Sequence, residues 1–539
     1  MDDEDLLEEA ERYISEKNYE KAIVNFKKAT LQLDKNTENL YGGEAASKIY
    51  NNDPRKSDLY SKLTLSYYNT GDVAEAWNYA NRSNIAGIKE LSGSLNTNTN
   101  DAEKNEALKK ILAMQQQKKQ LEETASKQNG EAKIATLKKI EIQENDYRNF
   151  LDDVVIKFKE LENYLSSTDA KEFTKYKKLL PKDVAVLLYM QSNTTLMIFS
   201  LTNEKLSVDT MTMDVNKKIE DIIATIKNTG KPTGTGRLSL RSDPLDEEEP
   251  KQGGDFKKQS NELYEILIGS VYEKIKGKDK LCIVPSGVFS NLPFQCLGKQ
   301  VEKDKFEFLL QEFNVFYTNE MSIFRDASTL KDRTVNIKSF AAFGVPDPTL
   351  TYNIKEVQDI GKILNVKDGI FDDKTATESA AKESLRNKKY IHFATHGVLN
   401  YSSDFAQSYL KLLPDTDTST GNNGRLTIRE IQSLGIVDCD MVILSACQTG
   451  VSKELVEGWN ISPANSFLNS NVKTVIATLW KVADEPTSVL MEYFYANLAN
   501  DASITKLDAL RKAQIKLSQN PKFAHPNYWG AFVLYGGWE

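Results

Sequence analysis

The sequence predicts a mainly parallel α/β sheet that is covered by helices on both faces and preceded by an all-α region. From residue 181 onward, short runs rich in Val, Ile and Leu alternate with patterns of helical periodicity. Runs such as 441–445 (MVILS) are apolar at nearly every position, as is typical of parallel strands buried on both faces. Before residue 181, apolar residues recur at intervals of three, four and seven, which indicates helices.

Two similar helical units open the chain, within residues 1–100. In the first, small and aromatic residues recur on both sides of a turn at Lys17 and Asn18, and the second repeats this arrangement around Gly71 and Asp72. The pattern resembles the tetratricopeptide repeat, in which two short helices pack through small residues. The units are too far apart for a tandem array and fewer than a free solenoid needs, so an ordinary helical bundle is the alternative.

The following regions differ in composition. Residues 101–178 are rich in Lys, Glu and Gln, with apolar residues at helical spacing on both sides of Gly130, which predicts a long antiparallel helical hairpin. Residues 179–330 begin with a predicted β-hairpin and include a segment, 228–259, whose Gly, Pro and charge predict a disordered loop. Residues 331–539 carry the remaining alternation of strands and helices.

Composition limits the classes of function. The 539 residues have a formal net charge of −8, so no general positive field favours direct nucleic-acid binding. The acidic first residues do not resemble a secretory signal, and the absence of a run of about 18 apolar residues predicts no membrane span. Four cysteines without a C-x-x-C pair do not make a disulfide framework, which favours a reducing, cytoplasmic location.

Two predicted strands end in residues that can carry out chemistry. His396 follows the run YIHFA, and Cys447 follows the run MVILSA. Both are expected at the carboxyl edge of the sheet, where α/β proteins place their sites. His392 falls in the body of its strand, so we expect it to be a structural histidine of the core.

Three kinds of site compete at this edge. A zinc site needs a third ligand, and two histidines four residues apart usually bind zinc from a helix, so no metal is expected. A serine nucleophile needs a G-x-S-x-G elbow, which the chain lacks. A Cys/His dyad is the third hypothesis. An imidazolium lowers the pKa of a nearby thiol, which makes the thiol a nucleophile. Cys447 also follows His396 by roughly 50 residues, as in caspases. By spacing alone, a buried cysteine that ends a strand by chance is an equal alternative.

Several blocks in the same order resemble the CHAT domain, a caspase-like family of cysteine peptidases related to separase. They are YIHFATHG, DMVILSACQTG, VKTVIATLWKVADEP and HPNYWGAFVLYGGW, preceded by LCIVPSGVFSNLPFQCL and FAAFGVPDP. The resemblance covers roughly residues 180–539. It implies a caspase-like sheet, with 179–330 as its amino-terminal, pseudo-caspase-like half and 331–539 as its catalytic half. Helical repeats before a CHAT domain are a familiar arrangement in that family.

The resemblance also implies roles for residues. His396 matches the catalytic base of the family and Cys447 its nucleophile, while Gly397 and the backbone of Cys447 match its oxyanion hole. Asp484 matches the acidic residue that receives a basic P1 side chain in the separase relatives. Capping of a helix that begins near Pro486 is an equal alternative for Asp484. After the cysteine, the stretch VEGWNISPANSFL departs from the Gly-rich pattern of many members, which puts the shape of the substrate cleft in doubt.

The family implies a cysteine endopeptidase that cleaves a specific protein partner, after Arg or Lys if Asp484 has the matched role. The implied reaction needs no metal and no organic cofactor. CHAT proteins with such repeats are linked to bacterial defence, including antiviral defence, and to cell death. A regulatory protein or ribonucleoprotein is therefore expected to bind the repeats. The alternative from another class is a catalytically silent scaffold that keeps a peptidase fold and acts by binding proteins.

Overall fold

The structure, a computed structural model, describes most of the chain. The described residues are 3–38, 55–89, 102–126, single positions between 136 and 157, 177–192, 194–228, 255–302, 305–318, 324, 339–400, 407–417, 421–434, 436, 439–445, 463–470 and 472–539. The chain forms two compact units, one of residues 1–88 with 170–539 and the other of residues 89–169.

Over these residues, helices precede the first strand, and strands and helices are interspersed from residue 184 onward. The helices are α1 (Asp3–Ser15), α2 (Tyr19–Glu38), α3 (Arg55–Asn69), α4 (Val73–Lys89), α5 (Ala102–Ser126), α6 (Asn216–Asn228), α7 (Phe256–Leu267), α8 (Tyr272–Ile275), α9 (Leu309–Glu312), α10 (Asn353–Leu364), α11 (Glu378–Asn387), α12 (Ile428–Ser433), α13 (Pro463–Asn469), α14 (Asp484–Asn500), α15 (Lys506–Ser518) and α16 (Pro526–Trp529). Short 3₁₀ helices span Gly269–Val271, Gly287–Asn291 and Phe294–Cys296. Within the described ranges, none of the helices has both the length and the apolar character needed to span a membrane.

The strands are β1 (Val184–Ser192), β2 (Thr195–Leu201), β3 (Leu206–Thr212), β4 (Lys280–Val284), β5 (Gly298–Glu302), β6 (Lys305–Phe308), β7 (Asn314–Tyr317), β8 (Phe340–Gly344), β9 (Ile370–Asp372), β10 (Tyr390–Ala394), β11 (Gly397–Val398), β12 (Tyr409–Lys411), β13 (Arg425–Thr427), β14 (Met441–Ser445), β15 (Thr474–Thr478) and β16 (Phe532–Gly536). The predicted β-hairpin of residues 179–330 is confirmed as the antiparallel pair β1 and β2.

The first four helices form two pairs joined by tight turns. Lys17, with a φ of 57°, turns the chain between α1 and α2, and Gly71, with a φ of 84°, turns it between α3 and α4. Most of the positions that predicted the two units are buried, and Tyr13 is half-buried. The buried ones are Ala10, Ala22, Phe26, Ala29, Leu63, Tyr67, Ala76 and Ala80. The chain thus forms a helix pair at each of the two predicted positions, and the assignment of residues 1–100 to tetratricopeptide-like repeats stays a prediction.

Helices α3 and α4 pack against the first strands of the sheet. The rings of Trp77 on α4 and Phe199 on β2 meet edge to face, with their centroids 5.9 Å apart. The hydroxyl of Ser61 on α3 lies 3.4 Å from that of Ser192 on β1. Both aromatic rings are buried, so α3 and α4 share one apolar core with the sheet.

The second unit contains α5 and single helical positions as far as residue 157. The carboxylate of Glu103 forms an ion pair with Lys157, and the carbonyl of Met114 accepts a hydrogen bond from the amide of Gln143 at 3.1 Å. Residues later in α5 thus contact residues earlier in the segment that follows it. This order of contacts is that of an antiparallel helical hairpin.

One sheet organises the rest of the first unit. Eleven strands pair in the order β3-β2-β1-β4-β7-β16-β15-β14-β10-β8-β9. Neighbours are parallel except for β3 with β2, β2 with β1, and β16 with β15. The predicted fold class, a mainly parallel sheet flanked by helices and preceded by helices, is confirmed.

The sheet has two halves, which meet where β7 pairs with β16. The amino-terminal half consists of β1 to β4 and β7, and the carboxy-terminal half consists of β8 to β10 and β14 to β16. At the seam Tyr317 is paired with Tyr535, and their ring centroids are 5.7 Å apart. A separate antiparallel sheet of β11, β12 and β13 follows β10 in sequence. It therefore begins at the carboxyl edge of the main sheet.

The segment predicted to be a disordered loop, 228–259, is described only at its ends. Residues 229–254 lie outside the described residues. At the far end, residues 256–259 form the first turn of α7, where Asp255 accepts a hydrogen bond from the N–H of Lys258 at 3.3 Å. An Asp at this position satisfies a free N–H of the first turn, and the buried face of α7 begins at Ser260. Composition averaged over the segment concealed this local start signal.

Candidate active site

Strand β10 leads to two histidines in different surroundings. His392 lies in the strand and is fully buried. Its Nε2 is 2.7 Å from Oε1 of Glu356, and its Nδ1 is 3.2 Å from the hydroxyl of Tyr495. His396 lies past the end of the strand, and 22% of its side chain is exposed. The prediction that His392 belongs to the core is confirmed, whereas His396 is partly exposed.

The chain between β8 and α10 is fixed against the end of β10. Helix α10 crosses close over Gly344, the last residue of β8, because a Cβ there would lie 2.7 Å from Cγ2 of Val357. The buried amide of Asn353 donates to the carbonyl of Val345 and, at 3.5 Å, to that of Ala394. These contacts tie the segment that follows β8 to the last residue of β10.

Two side chains of this segment contact the His396 ring. Its Nε2 lies 2.9 Å from Oγ1 of Thr349 and 3.4 Å from Oδ1 of Asp347. Thr349 donates to the same Oδ1 twice, from its hydroxyl at 2.6 Å and from its N–H at 2.9 Å. The sequence interpretation missed both residues. The signal was their position directly after an apolar strand, since strand ends that are adjacent in a parallel sheet share one edge.

Asp347 is held in its charged form. Burial favours the protonated acid, but the hydrogen bonds from Lys411, whose Nζ is 2.6 Å away, and from Thr349 outweigh it. The pKa of Asp347 therefore lies well below its ordinary value, and the nearby His396 acts in the same direction. Lys411 belongs to β12, so the small sheet supplies the counterion of this carboxylate.

Gly397 begins β11 and lies opposite Leu410 of β12. The N–H of Lys411 donates to the carbonyl of His396 at 2.9 Å, which makes those two residues the hydrogen-bonded pair of the ladder. Hydrogen-bonded and non-hydrogen-bonded pairs alternate along antiparallel strands. The N–H of Gly397 therefore points away from β12, as an oxyanion-hole donor at this position must.

Asp484 is the first residue of α14 and lines a pocket of about 30 Å³ at the carboxyl edge of the sheet. The same pocket is lined by Thr395, Ser445 and Thr478, which lie at or just beyond the ends of β10, β14 and β15. Glu356, the partner of His392, also lines it. The pocket is therefore acidic and lies directly beside the strand end that leads to His396.

The carboxylate of Asp484 bonds to a different helix from its own. It accepts the N–H of Tyr352 at 2.5 Å and the hydroxyl of Thr351 at 3.4 Å, both at the start of α10. Helix α14 has Ala483 at its N-cap and no capping side chain. Burial raises the pKa of Asp484, the N–H of Tyr352 opposes this rise, and the nearby carboxylate of Glu356 adds to it.

Cys447 lies outside the described residues, but the strand that precedes it is described. Ser445, the last residue of β14, is the partner of Ala394, the last residue of β10. The strands that lead to Cys447 and His396 are thus adjacent and end at the same level. The structure brings His396, Gly397 and Asp484 to one edge of the sheet, together with the strand end before Cys447.

The other three cysteines are buried in the apolar core: Cys282, Cys296 and Cys439. Burial raises the pKa of each thiol, that of Cys439 to about 12. Over the part of the chain that the structure describes, no group of three His, Cys, Asp or Glu side chains is arranged to hold a metal ion.

The profile of the CHAT domain family matches residues 257–537, which is more than half of the chain. The chain belongs to the CHAT domain family. This family and the observed sheet support a caspase-like cysteine peptidase fold for the protein. No curated protein matches the chain in sequence.

Two solved proteins show distant structural similarity. One is separase of Saccharomyces cerevisiae in its complex with securin, which is 12% identical with a TM-score of 0.45; the alignment covers 99% of this CHAT protein and 47% of that chain. The other is the Arg-specific cysteine proteinase gingipain R, which is 11% identical with a TM-score of 0.35 and coverages of 60% and 74%. The CHAT protein spans less than half the length of the separase chain.

Proposed function

We propose that this CHAT protein is a cysteine endopeptidase with His396 and Cys447 as its catalytic dyad. The pairing of Ala394 with Ser445 carries the proposal, because it sets the two strand ends side by side. Cys447 is two residues beyond Ser445, and two residues span at most about 7 Å. The thiol is therefore tethered close to the edge at which the His396 ring is accessible.

The proposed reaction is hydrolysis of a peptide bond. The thiolate of Cys447 attacks the scissile carbonyl carbon, and the N–H groups of Gly397 and Cys447 donate to the resulting oxyanion. His396 protonates the leaving amine as the C–N bond breaks, which leaves the acyl group on sulfur as a thioester. His396 then takes a proton from water, whose oxygen displaces the thiol and releases the acid.

We propose further that Asp484 selects a basic P1 residue. Its carboxylate lines a pocket next to Thr395 and Ser445, and charge-assisted bonds to Arg or Lys are strong in such a desolvated place. The pocket has a volume of only about 30 Å³, so we propose that it widens to receive such a side chain. Widening moves Asp484 relative to Tyr352, whose N–H it now accepts.

The small volume of the pocket also supports the proposal that the enzyme is regulated by a partner. Helices α3 and α4 share a core with β1 and β2, so a protein or ribonucleoprotein bound to the repeats acts on the same compact unit as the site. Such a partner stabilises the wide pocket if it binds that form more tightly. We propose that this partner-regulated cleavage serves bacterial defence.

Cleavage of fluorogenic peptides that differ only at P1 tests the proposed function. The assay compares the full chain with Cys447→Ala, each alone and with proteins encoded beside it. We expect cleavage after Arg and Lys and none with Cys447→Ala. Cleavage that survives in Cys447→Ala contradicts the dyad. Cleavage exclusively after residues other than Arg and Lys contradicts the role of Asp484.

A catalytically silent scaffold is the second candidate, and the small volume of the pocket favours it. In this hypothesis the repeats are the protein-binding surface, and the pocket stays narrow under all conditions. Absence of Cys447-dependent cleavage by folded protein with every partner present supports the scaffold. A partner that binds the repeats and switches cleavage on excludes it.

A further inference from the structure

We propose that Thr349 and Asp347 are positioning residues for His396. Thr349 holds the imidazole in the tautomer that carries its proton on Nε2, and Asp347 orients Thr349 and stabilises the imidazolium. The catalytic meaning of this assignment rests on the proposed function. The tautomer itself does not, because it follows from contacts among described residues alone.

The number of protons at Thr349 decides the tautomer. Asp347 is a carboxylate without a proton to give, so the 2.6 Å contact to its Oδ1 is a bond that the Thr349 hydroxyl donates. A hydroxyl has one proton, so the ring must donate in the 2.9 Å contact between His396 Nε2 and Thr349 Oγ1. The neutral ring therefore keeps Nδ1 free to accept a proton.

The carboxylate at the end of this chain of bonds is well fixed. The side chain of Asp347 is 7% exposed, Thr349 donates to it twice, and Lys411 is its ion-pair partner. Its lowered pKa keeps it charged at every pH at which a thiol peptidase operates. A poorly solvated charge is weakly screened, so its field acts on the ring 3.4 Å away.

The consequence is that the charge of the imidazolium formed during the reaction lies beside a carboxylate. When Nδ1 takes a proton, the Nε2–H stays on Thr349 and the new positive charge faces Asp347. An adjacent imidazolium favours the thiolate of a cysteine. Among the described charged groups, Asp347 reaches the ring from the segment after β8 and Lys411 reaches Asp347 from β12, while Asp484 of α14 is bonded to Tyr352.

A matched pair of variants separates the hydroxyl from the shape of the side chain. Thr349→Val keeps the branched shape and removes the hydroxyl, and Thr349→Ser keeps the hydroxyl. The chain has only three histidines, so selective ¹⁵N labelling gives three ring systems by NMR, and His396→Gln identifies the one of interest. Circular dichroism confirms that each variant is folded.

In the wild type we expect the neutral His396 ring to show its proton on Nε2. Thr349→Ser should keep this tautomer, and Thr349→Val should give a mixture of the two. A proton on Nδ1 in the wild type overturns the proposal, and so does an unchanged tautomer in Thr349→Val. This readout needs neither a substrate nor Cys447.

The second readout is the rate at which iodoacetamide alkylates Cys447 as a function of pH. In Asp347→Asn the midpoint of the profile should move to higher pH by about one unit, which lowers the rate about tenfold at pH values well below the midpoint. Thr349→Ser should stay within about threefold of the wild type. A profile that Asp347→Asn leaves unchanged overturns the role of the carboxylate.

The two proposals can fail separately. If NMR shows the Nε2–H tautomer but no peptide is cleaved, the assignment of Thr349 stands and the proposed function is contradicted. If peptides are cleaved but the ring carries its proton on Nδ1, the proposed function stands and the assignment of Thr349 is contradicted.

Discussion

The two halves of the sheet share an architecture and differ at the carboxyl ends of their strands. In the amino-terminal half, β4 leads to Ser286, whose hydroxyl donates to the backbone carbonyl of Tyr189 at 2.6 Å. In the carboxy-terminal half, β10 leads to His396, which contacts the side chains of Thr349 and Asp347. A hydroxyl that bonds to a backbone carbonyl serves the fold. A titratable ring held by other side chains at an accessible edge can transfer protons.

The difference shows that parallel strands provide a place for a site but not its chemistry. Both halves bring the ends of adjacent parallel strands together, in β1, β4 and β7 and in β8, β10 and β14. Only the second group delivers a histidine, an acid and a hydroxyl to one point among the described residues. Function is therefore read from the side chains at the strand ends rather than from the sheet.

The largest expected effect on activity comes from comparing one substitution at the carboxyl edge of each half. His396→Gln should lower kcat/KM at least about 10³-fold, because the leaving amine and the water lose their proton donor and acceptor. Ser286→Ala should leave kcat/KM within about twofold and cost about 1 kcal/mol of unfolding free energy. Peptide hydrolysis and urea denaturation measure the two effects. A large loss of activity in both variants contradicts the claim that only the carboxy-terminal half carries catalytic residues.

The second prediction concerns the buried histidine of β10. His392→Leu leaves the carboxylate of Glu356 and the hydroxyl of Tyr495 buried without their partner. The free energy of unfolding should fall by about 3 kcal/mol, as is typical when one member of a buried pair is removed. Urea denaturation measures it. A loss below about 1 kcal/mol means that the pair is not a structural element of the core.

Neighbouring acids on α14 give a smaller and more selective effect. Asp484→Asn should lower kcat/KM for peptides with Arg at P1 about 100-fold relative to peptides with an uncharged P1 residue. Glu485→Gln is the control, because Glu485 forms an ion pair with Lys522 at 2.5 Å on the surface and does not line the pocket. An equal effect of both changes indicates a general field of negative charge rather than a P1 contact.

The smallest expected effect is a change in how stability depends on pH. The pKa of Asp347 is lowered in the folded chain, so its contribution is complete above about pH 4 and is lost as pH falls toward the folded value. Below about pH 4, wild-type protein should lose thermal stability more steeply than Asp347→Asn as the pH falls. Parallel slopes in the two proteins contradict the charged state assigned to Asp347.

The sequence was sufficient for the class of fold and for the edge of the sheet at which the candidate residues lie. The period of the apolar runs predicted the strands, and their alternation separated His392, inside β10, from His396 beyond it. The order of strands was beyond such reasoning, because β16, the last strand of the chain, pairs with β15 and β7. Its placement depends on packing between distant segments.

The contacts that residues of the candidate site make across the sheet were also beyond the sequence. Asp347 and Thr349 occur in the stretch VPDPTL, whose prolines indicate a turn, and nothing local links that turn to His396. Asp484 was found by resemblance, but its bond to Tyr352 joins two helix starts that are far apart in sequence. Local patterns do not encode such contacts, because tertiary packing creates them.

The most direct test of the account is the order in which the four cysteines react with iodoacetamide in the native protein at pH 7. Mass spectrometry of peptides follows each site over time, in the wild type and in His396→Gln. The account predicts that Cys447 reacts at least about tenfold faster than the buried Cys282, Cys296 and Cys439, and that His396→Gln removes this advantage. Reaction of Cys447 at the rate of the buried thiols, or an advantage that persists in His396→Gln, contradicts a dyad at this edge of the sheet.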